Sequence, residues 1–199
     1  MKRFQVLRYV VIALCLALAG GQNRALADES YRPKIGQAGK DVIWVPTPQK
    51  LVEVMLDMAN VTPADFVIDL GSGDGNIVIA AAQRGARAHG IEYNPDLVEF
   101  ARCAAAKAGV SDRATFEHAD IFASDFSQAT VVTLFLTPKL NMDLRPKILD
   151  LTPGTRVVSY NFGMGDWKPD LTRTLEGDTS GLNTAHLWIV PAVWPIPAR

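Results

Sequence analysis

The sequence predicts an α/β protein: a doubly wound, mostly parallel sheet with an antiparallel pair of strands at its C-terminal edge. Three observations lead there. Short apolar runs alternate with helix-period segments from residue 45 onward. A glycine-rich turn, Gly71-Ser72-Gly73-Asp74-Gly75, separates the first such run from the first helix that follows it. The tail then offers two strand-like stretches with no helical segment between them.

The elements follow in order. Thr47-Pro48 opens a helix, with Thr as the cap and Pro at the first helical position, and Leu51, Met55 and Met58 give it a buried face. Phe66-Val67-Ile68 is a buried strand. The next helix runs from Asn76 to about Arg84 and closes at Gly85. Ala88 to Ile91 is the second strand, and Asn94-Pro95 starts a helix with Leu97, Val98, Ala101 and Ala105 on one face. Ala114 to Glu117 is the third strand. Val131 to Leu136 is the fourth, continuously apolar as a strand covered on both faces should be. A helix from about Asn141 to Leu149 leads through Thr152-Pro153-Gly154 into a fifth strand, Thr155 to Tyr160. Leu171–Leu175 and Ala185–Val190 complete the sheet as the antiparallel edge pair.

The first 27 residues read differently. Lys2, Arg3 and Arg8 precede an apolar run from Tyr9 to Ala19, and Ala25-Leu26-Ala27 supplies a small-x-small cleavage pattern. That is the layout of a secretory signal peptide, with an N-terminal membrane anchor as the alternative. Either way the domain is expected to be exported, in a periplasmic or other extracytoplasmic location. Residues 28–44 form a polar lead-in, and residues 45–199 the folded domain. Removing residues 1–27 takes four of the 20 basic residues and none of the 21 acidic ones, for a formal net charge of −5. Such a domain lacks the basic stripe that phosphate binding needs, so no nucleic-acid partner is expected. Only Cys103 survives cleavage, and three scattered histidines offer no zinc pattern, so no metal is expected. His186 reads as a strand residue, and Cys103 as a buried one in an Ala-rich helix.

The glycine turn carries the chemistry. Ligands of open α/β sheets sit beyond the carboxyl ends of the strands, where this turn lies. It reads G-x-G-x-G, with Asn76 where a dinucleotide fingerprint places its last small residue. Asp69 and Asp74 surround it with negative charge that repels a pyrophosphate. A ligand bearing an amino group and a sulfonium cation suits it better, and S-adenosyl-L-methionine (SAM) carries both. Glu92, at the end of the second strand, can accept from both ribose hydroxyls of such a ligand or of a dinucleotide. Asp120 can accept from the adenine amino group while Ile121 covers the ring.

Together, Val45-Pro46-Thr47-Pro48, Asp69–Gly75, Gly90-Ile91-Glu92 and Asp120 resemble the Rossmann-like class I SAM-dependent methyltransferases. More narrowly, residues 42–170 resemble the family containing the ATP synthase c-subunit lysine N-methyltransferase, through Leu136-Thr137-Pro138 and Pro153-Gly154-Thr155-Arg156-Val157-Val158-Ser159 as well. The resemblance implies cofactor roles for Asp69, Gly71, Gly73, Glu92 and Asp120, with Thr47 lining the methionine end; Ser72 in the turn and Ile121 over the ring join them as cofactor-binding candidates. It implies a protein lysine as acceptor, and an association with membranes. From the residues alone, a small amine or lipid acceptor, or a non-catalytic exported nucleoside-binding module, remains open. For an amine acceptor, Tyr160, Asn161 and Asp166 are the catalytic candidates. Asp166 is placed to attract an ammonium or take its proton, and Phe162 or Trp167 to face the cation with a ring.

Overall fold

The computed structural model describes residues 31–175 and 181–193; the expected signal segment, residues 1–27, lies outside the described residues. Seven strands form one sheet: β1 (Phe66–Leu70), β2 (Arg87–Glu92), β3 (Ala114–His118), β4 (Val131–Leu134), β5 (Arg156–Tyr160), β6 (Leu171–Thr174) and β7 (Thr184–Ile189). Their order is β3-β2-β1-β4-β5-β7-β6. The first five run parallel, whereas β7 is antiparallel to β5 and β6 antiparallel to β7. The doubly wound sheet with its antiparallel edge pair is thus present as expected. Chain direction across the sheet reverses between β1 and β4, the switch point at which α/β sheets open a crevice.

Successive side chains of a strand face opposite sides, and the two cores divide accordingly. Val67, Val131, Val158 and Leu187 pack with helices α1 (Gln49–Met58), α2 (Asn76–Gln83) and α3 (Pro95–Lys107) on one face. Ile68, Val132, Val157 and Trp188 pack with α4 (Pro138–Leu149) and the β3–β4 connection on the other.

Most strand ends differ from the sequence reading by one or two residues, and three departures bear on the site. Pro48, not Thr47, is the cap of α1, and no side chain bonds to that helix end. Thr47 is instead buried, its carbonyl accepting from the Asn76 side-chain amide at 2.7 Å. Helix α4 starts at Pro138 rather than Asn141, because Thr137 accepts from the Leu140 N–H and Pro138 fits the first turn. Strand β4 ends at Leu134, so Phe135 and Leu136 leave the sheet. All three shifts place residues at the carboxyl end of the sheet.

Candidate active site

At that end the chain forms an open cleft, lined by the lead-in, the glycine turn and residues at the ends of the strands. Thr47, Asp69, Gly71, Ser72, Gly73, Glu92, Asp120 and Ile121 all line it. Eight residues read from separate stretches of sequence therefore meet on one surface.

The glycine turn is tied to its neighbours by its own backbone. The N–H groups of Gly71 and Ser72 donate to the Ile91 carbonyl at 2.9 and 3.1 Å. The Gly73 N–H donates to Glu92 Oε2 at 2.9 Å, and the Asn94 N–H to Glu92 Oε1 at 2.8 Å. Each carboxylate oxygen retains acceptor capacity, since an ionised carboxylate offers about four lone-pair sites. Gly73 has φ +53°, and a Cβ there would lie 2.5 Å from the Trp44 indole nitrogen. Both the backbone conformation and the space exclude a side chain at Gly73.

Asp69 is 2% exposed and accepts a hydrogen bond from the Thr133 hydroxyl at 2.6 Å. Burial, aided by the nearby charges of Asp74 and Glu92, pushes its carboxyl up to about 7 against the opposing pull of Thr133. Burial also raises Asp74. Asp120 is held below the ordinary carboxylate range, first by Lys40, whose ammonium donates to Oδ2 at 2.6 Å, and then by the Phe122 N–H on Oδ1. The Ser72 hydroxyl is buried without a hydrogen-bond partner. An acid-rich wall and an unpartnered buried hydroxyl beside a backbone-exposing turn fit a cationic, polyhydroxylated donor such as SAM.

The second wall was not read from the sequence as part of the site. Residues 36–44 form a hairpin, closed by the Gly36 N–H to the Trp44 carbonyl at 2.8 Å and the Trp44 N–H to the Gln37 carbonyl at 2.9 Å. Ala38 to Thr47 line the cleft continuously, and the Lys40 ammonium sits 5.0 Å from the centroid of the Tyr93 ring. The lead-in is therefore a side of the cleft. Its apolar run Val42–Val45, adjoining the Val45–Pro48 motif, was the available signal. Phe135 and Leu140 complete the lining near α4.

The catalytic candidates are placed differently. Tyr160 is buried, and its hydroxyl donates to the Leu182 carbonyl at 2.6 Å. Asn161 adopts φ +63° directly after β5. Asp166 is exposed and ion-paired with Arg145, which holds its carboxyl below the ordinary range. None of the three lines the cleft. Trp167 belongs to the core, 6.1 Å from Trp188, whose indole N–H donates to the Trp167 carbonyl at 2.8 Å. Phe162 lies parallel to Phe135, 16° between planes and 6.4 Å between centroids. Among the described residues, no group of three or more His, Cys, Asp or Glu is arranged to hold a metal ion.

A switch-point cleft with acids at or just beyond the ends of three adjacent strands defines the class: the chain is a SAM-dependent methyltransferase. Comparison with known proteins agrees. Residues 69–171 match the ANTKMT methyltransferase domain. A protein-lysine N-methyltransferase of Saccharolobus islandicus (strain REY15A) is 40% identical over 153 residues, covering 75% of this chain and 94% of that protein. The mouse (Mus musculus) ATP synthase c-subunit lysine N-methyltransferase is 40% identical over 130 residues, covering 65% of this chain; the match spans about half (52%) of the mouse protein. A crystal structure of an RNA methyltransferase from Salinibacter ruber in complex with S-adenosyl-L-homocysteine superposes with a TM-score of 0.72 at 50% identity, covering 76% of this chain and 97% of that one. The chain belongs to the ANTKMT methyltransferase domain family.

Proposed function

We propose that this enzyme N-methylates lysine side chains of proteins. Relatives named as lysine N-methyltransferases support the acceptor. One structural observation carries the reading of the cleft: Asp69, Glu92 and Asp120 stand at or just beyond the ends of β1, β2 and β3 and face one cavity. In the proposed arrangement Asp120 and Ile121 take the adenine, Glu92 the ribose, and Asp69, with Gly71, Ser72, Gly73 and Thr47, the methionine end.

SAM supplies an activated methyl group on a sulfonium, displaced in line by the amine lone pair. The chain's own residues must align the acceptor and strip its proton. For a lysine of pKa about 10.4, deprotonation at pH 7 costs about 4.6 kcal/mol. Desolvation against Phe135, Leu136 and Leu140, which line the cleft, favours the neutral amine. Since Tyr160, Asn161 and Asp166 stand off the cleft, their proposed part is to build its surroundings rather than to touch the reacting atoms.

The acidic balance of the domain opposes a nucleic-acid acceptor, although the Salinibacter neighbour is named an RNA methyltransferase. Tritiated SAM incubated with the chain and a cell extract separates the two. Label removed by protease and retained after RNase supports the proposal, and the reverse overturns it. We further propose export, with residues 1–27 as a cleavable signal and an acceptor near a membrane. N-terminal sequencing of protein from producing cells should begin at Asp28; an intact Met1 would indicate the anchor instead.

A further inference from the structure

The three proposed cofactor carboxylates mark a direction. Asp69 and Glu92 stand at the carboxyl ends of β1 and β2, and Asp120 just beyond the end of β3; the three strands are consecutive neighbours in the sheet. An extended nucleoside donor laid along them points its far end toward β4 and then β5. The residues leaving those strands are Phe135 and the turn Tyr160-Asn161-Phe162. Their rings form one aromatic group. Phe135 lines the cleft, with its centroid 4.2 Å from that of the buried Tyr160 and 6.4 Å from that of the half-buried Phe162, which extends the aromatic group past the cleft lining.

The position of Phe162 is set from two sides. Asn161 adopts its left-handed conformation while its N–H donates to the Thr184 carbonyl at 2.7 Å, and the Phe162 N–H turns back to the Tyr160 carbonyl at 2.8 Å. From α4, the side-chain amide of Asn141 donates to Ser159 Oγ and to the Phe162 carbonyl, both at 3.1 Å, with the Gly163 carbonyl at 3.4 Å. Asn141 is 0% exposed, and its Oδ1 has no hydrogen-bond partner. A buried acceptor left unpaired is destabilising by about 1–3 kcal/mol. Stability is therefore a poor reason for an amide here, and control of the turn is a better one.

We propose that the Phe135–Phe162 pair is the wall along which the acceptor side chain reaches the methyl group, and that Asn141 is the positioning residue that sets it. The fitting acceptor is a long, unbranched alkyl amine, because flat apolar rings strip water from the stem and their faces attract the ammonium on arrival, before it gives up its proton. The lone pair forms the new N–C bond, the S–C electrons stay on sulfur, and the ammonium passes its proton to water. This inference rests on the amine reading above.

The test measures initial rates of tritium transfer from SAM into extract proteins, as a function of extract concentration, for the full chain and for Phe135→Leu, Phe162→Leu and Asn141→Ala. A cation–ring contact of about 0.5–2 kcal/mol corresponds to about 2- to 30-fold. The apparent KM for extract protein should rise within that range in both Phe variants. In Asn141→Ala, kcat should fall about tenfold or more, while SAM affinity by calorimetry stays within twofold of wild type in all three. If Asn141→Ala fails to fold, the half-buried Phe162 variant decides. Wild-type kinetics in both Phe variants, with wild-type labelling of lysine intact, would overturn the wall alone. Absence of lysine label from the wild-type chain would sink the amine reading and the wall together.

Discussion

Glu92→Ala is the most informative single perturbation of the proposed cofactor site. Its carboxylate holds the Gly73 and Asn94 N–H groups at 2.9 and 2.8 Å and lines the cleft. Removing it acts in two ways. The two part-buried N–H groups lose their partners, at about 1 kcal/mol each. For a domain of this size that lowers Tm by about 4–8 °C. In the proposed arrangement the bound donor also loses two charge-assisted hydrogen bonds from its ribose, at about 1.5 kcal/mol each. About 3 kcal/mol is about a 150-fold weaker Kd for SAM. Titration calorimetry with SAM at pH 8 reads this directly. Glu99→Ala serves as control, because Glu99 is an exposed α3 residue paired with Arg102. A Glu92→Ala protein with native circular dichroism and a Kd within threefold of wild type would refute the assignment of Glu92 to the ribose.

Three further predictions follow from the same geometry. Gly73→Val forces a side chain into φ +53° and against the Trp44 indole, so SAM binding should be lost and Trp44 emission shifted; unchanged emission and binding would show that turn and hairpin do not meet. With a folded-state pKa of about 7 against an ordinary 3.8, Asp69 keeps a proton that the unfolded chain gives up. Its share of ligand-free stability therefore falls as pH rises between those values. A bound cation favours the carboxylate, so SAM affinity should rise with pH up to about 7. Calorimetry at pH 6 in buffers of different ionisation enthalpy should show proton release that Asp69→Asn abolishes. Burial raises the Asp65 carboxyl, but the hydrogen bonds from Arg156, Thr62 and Thr130 outweigh it and hold the group below its ordinary range. Its contribution is present above the ordinary carboxylate pKa and lost as pH falls through the lowered one. Because Asp65 precedes β1 at the end of the sheet away from the cleft, Asp65→Ala should cost about 3 kcal/mol of stability, read as a Tm drop of about 6–12 °C, with SAM affinity unchanged.

The parts of this site legible in the sequence are those whose chemistry is written in contiguous residues. Asp69–Gly75 states a strand end, a turn needing positive φ and a local negative charge within seven letters. Glu92 and Asp120 follow from the strand spacing, because each closes the strand or connection beside it. The hairpin wall was missed because its place depends on contacts far apart in sequence: Lys40 reaches Asp120 across 80 positions, and Trp44 seats against Gly73. The run Val131–Leu136 puts Phe135 inside a strand, since an apolar run does not announce where pairing stops. Asp166 was attractive as an acid after β5, but Arg145, 21 positions earlier on α4, neutralises it at the surface. Asn141 looked like a helix start; only the packing of α4 against β5 shows it buried and bonded to the next turn.

The central physical claim is that a carboxylate-walled turn selects a cationic nucleoside over a phosphate-bearing one. Calorimetric titration of the purified chain with SAM and, separately, with NAD tests it most directly. Saturable heat with SAM and none with NAD is the predicted result; binding of NAD with comparable affinity, or silence with SAM, would contradict the account.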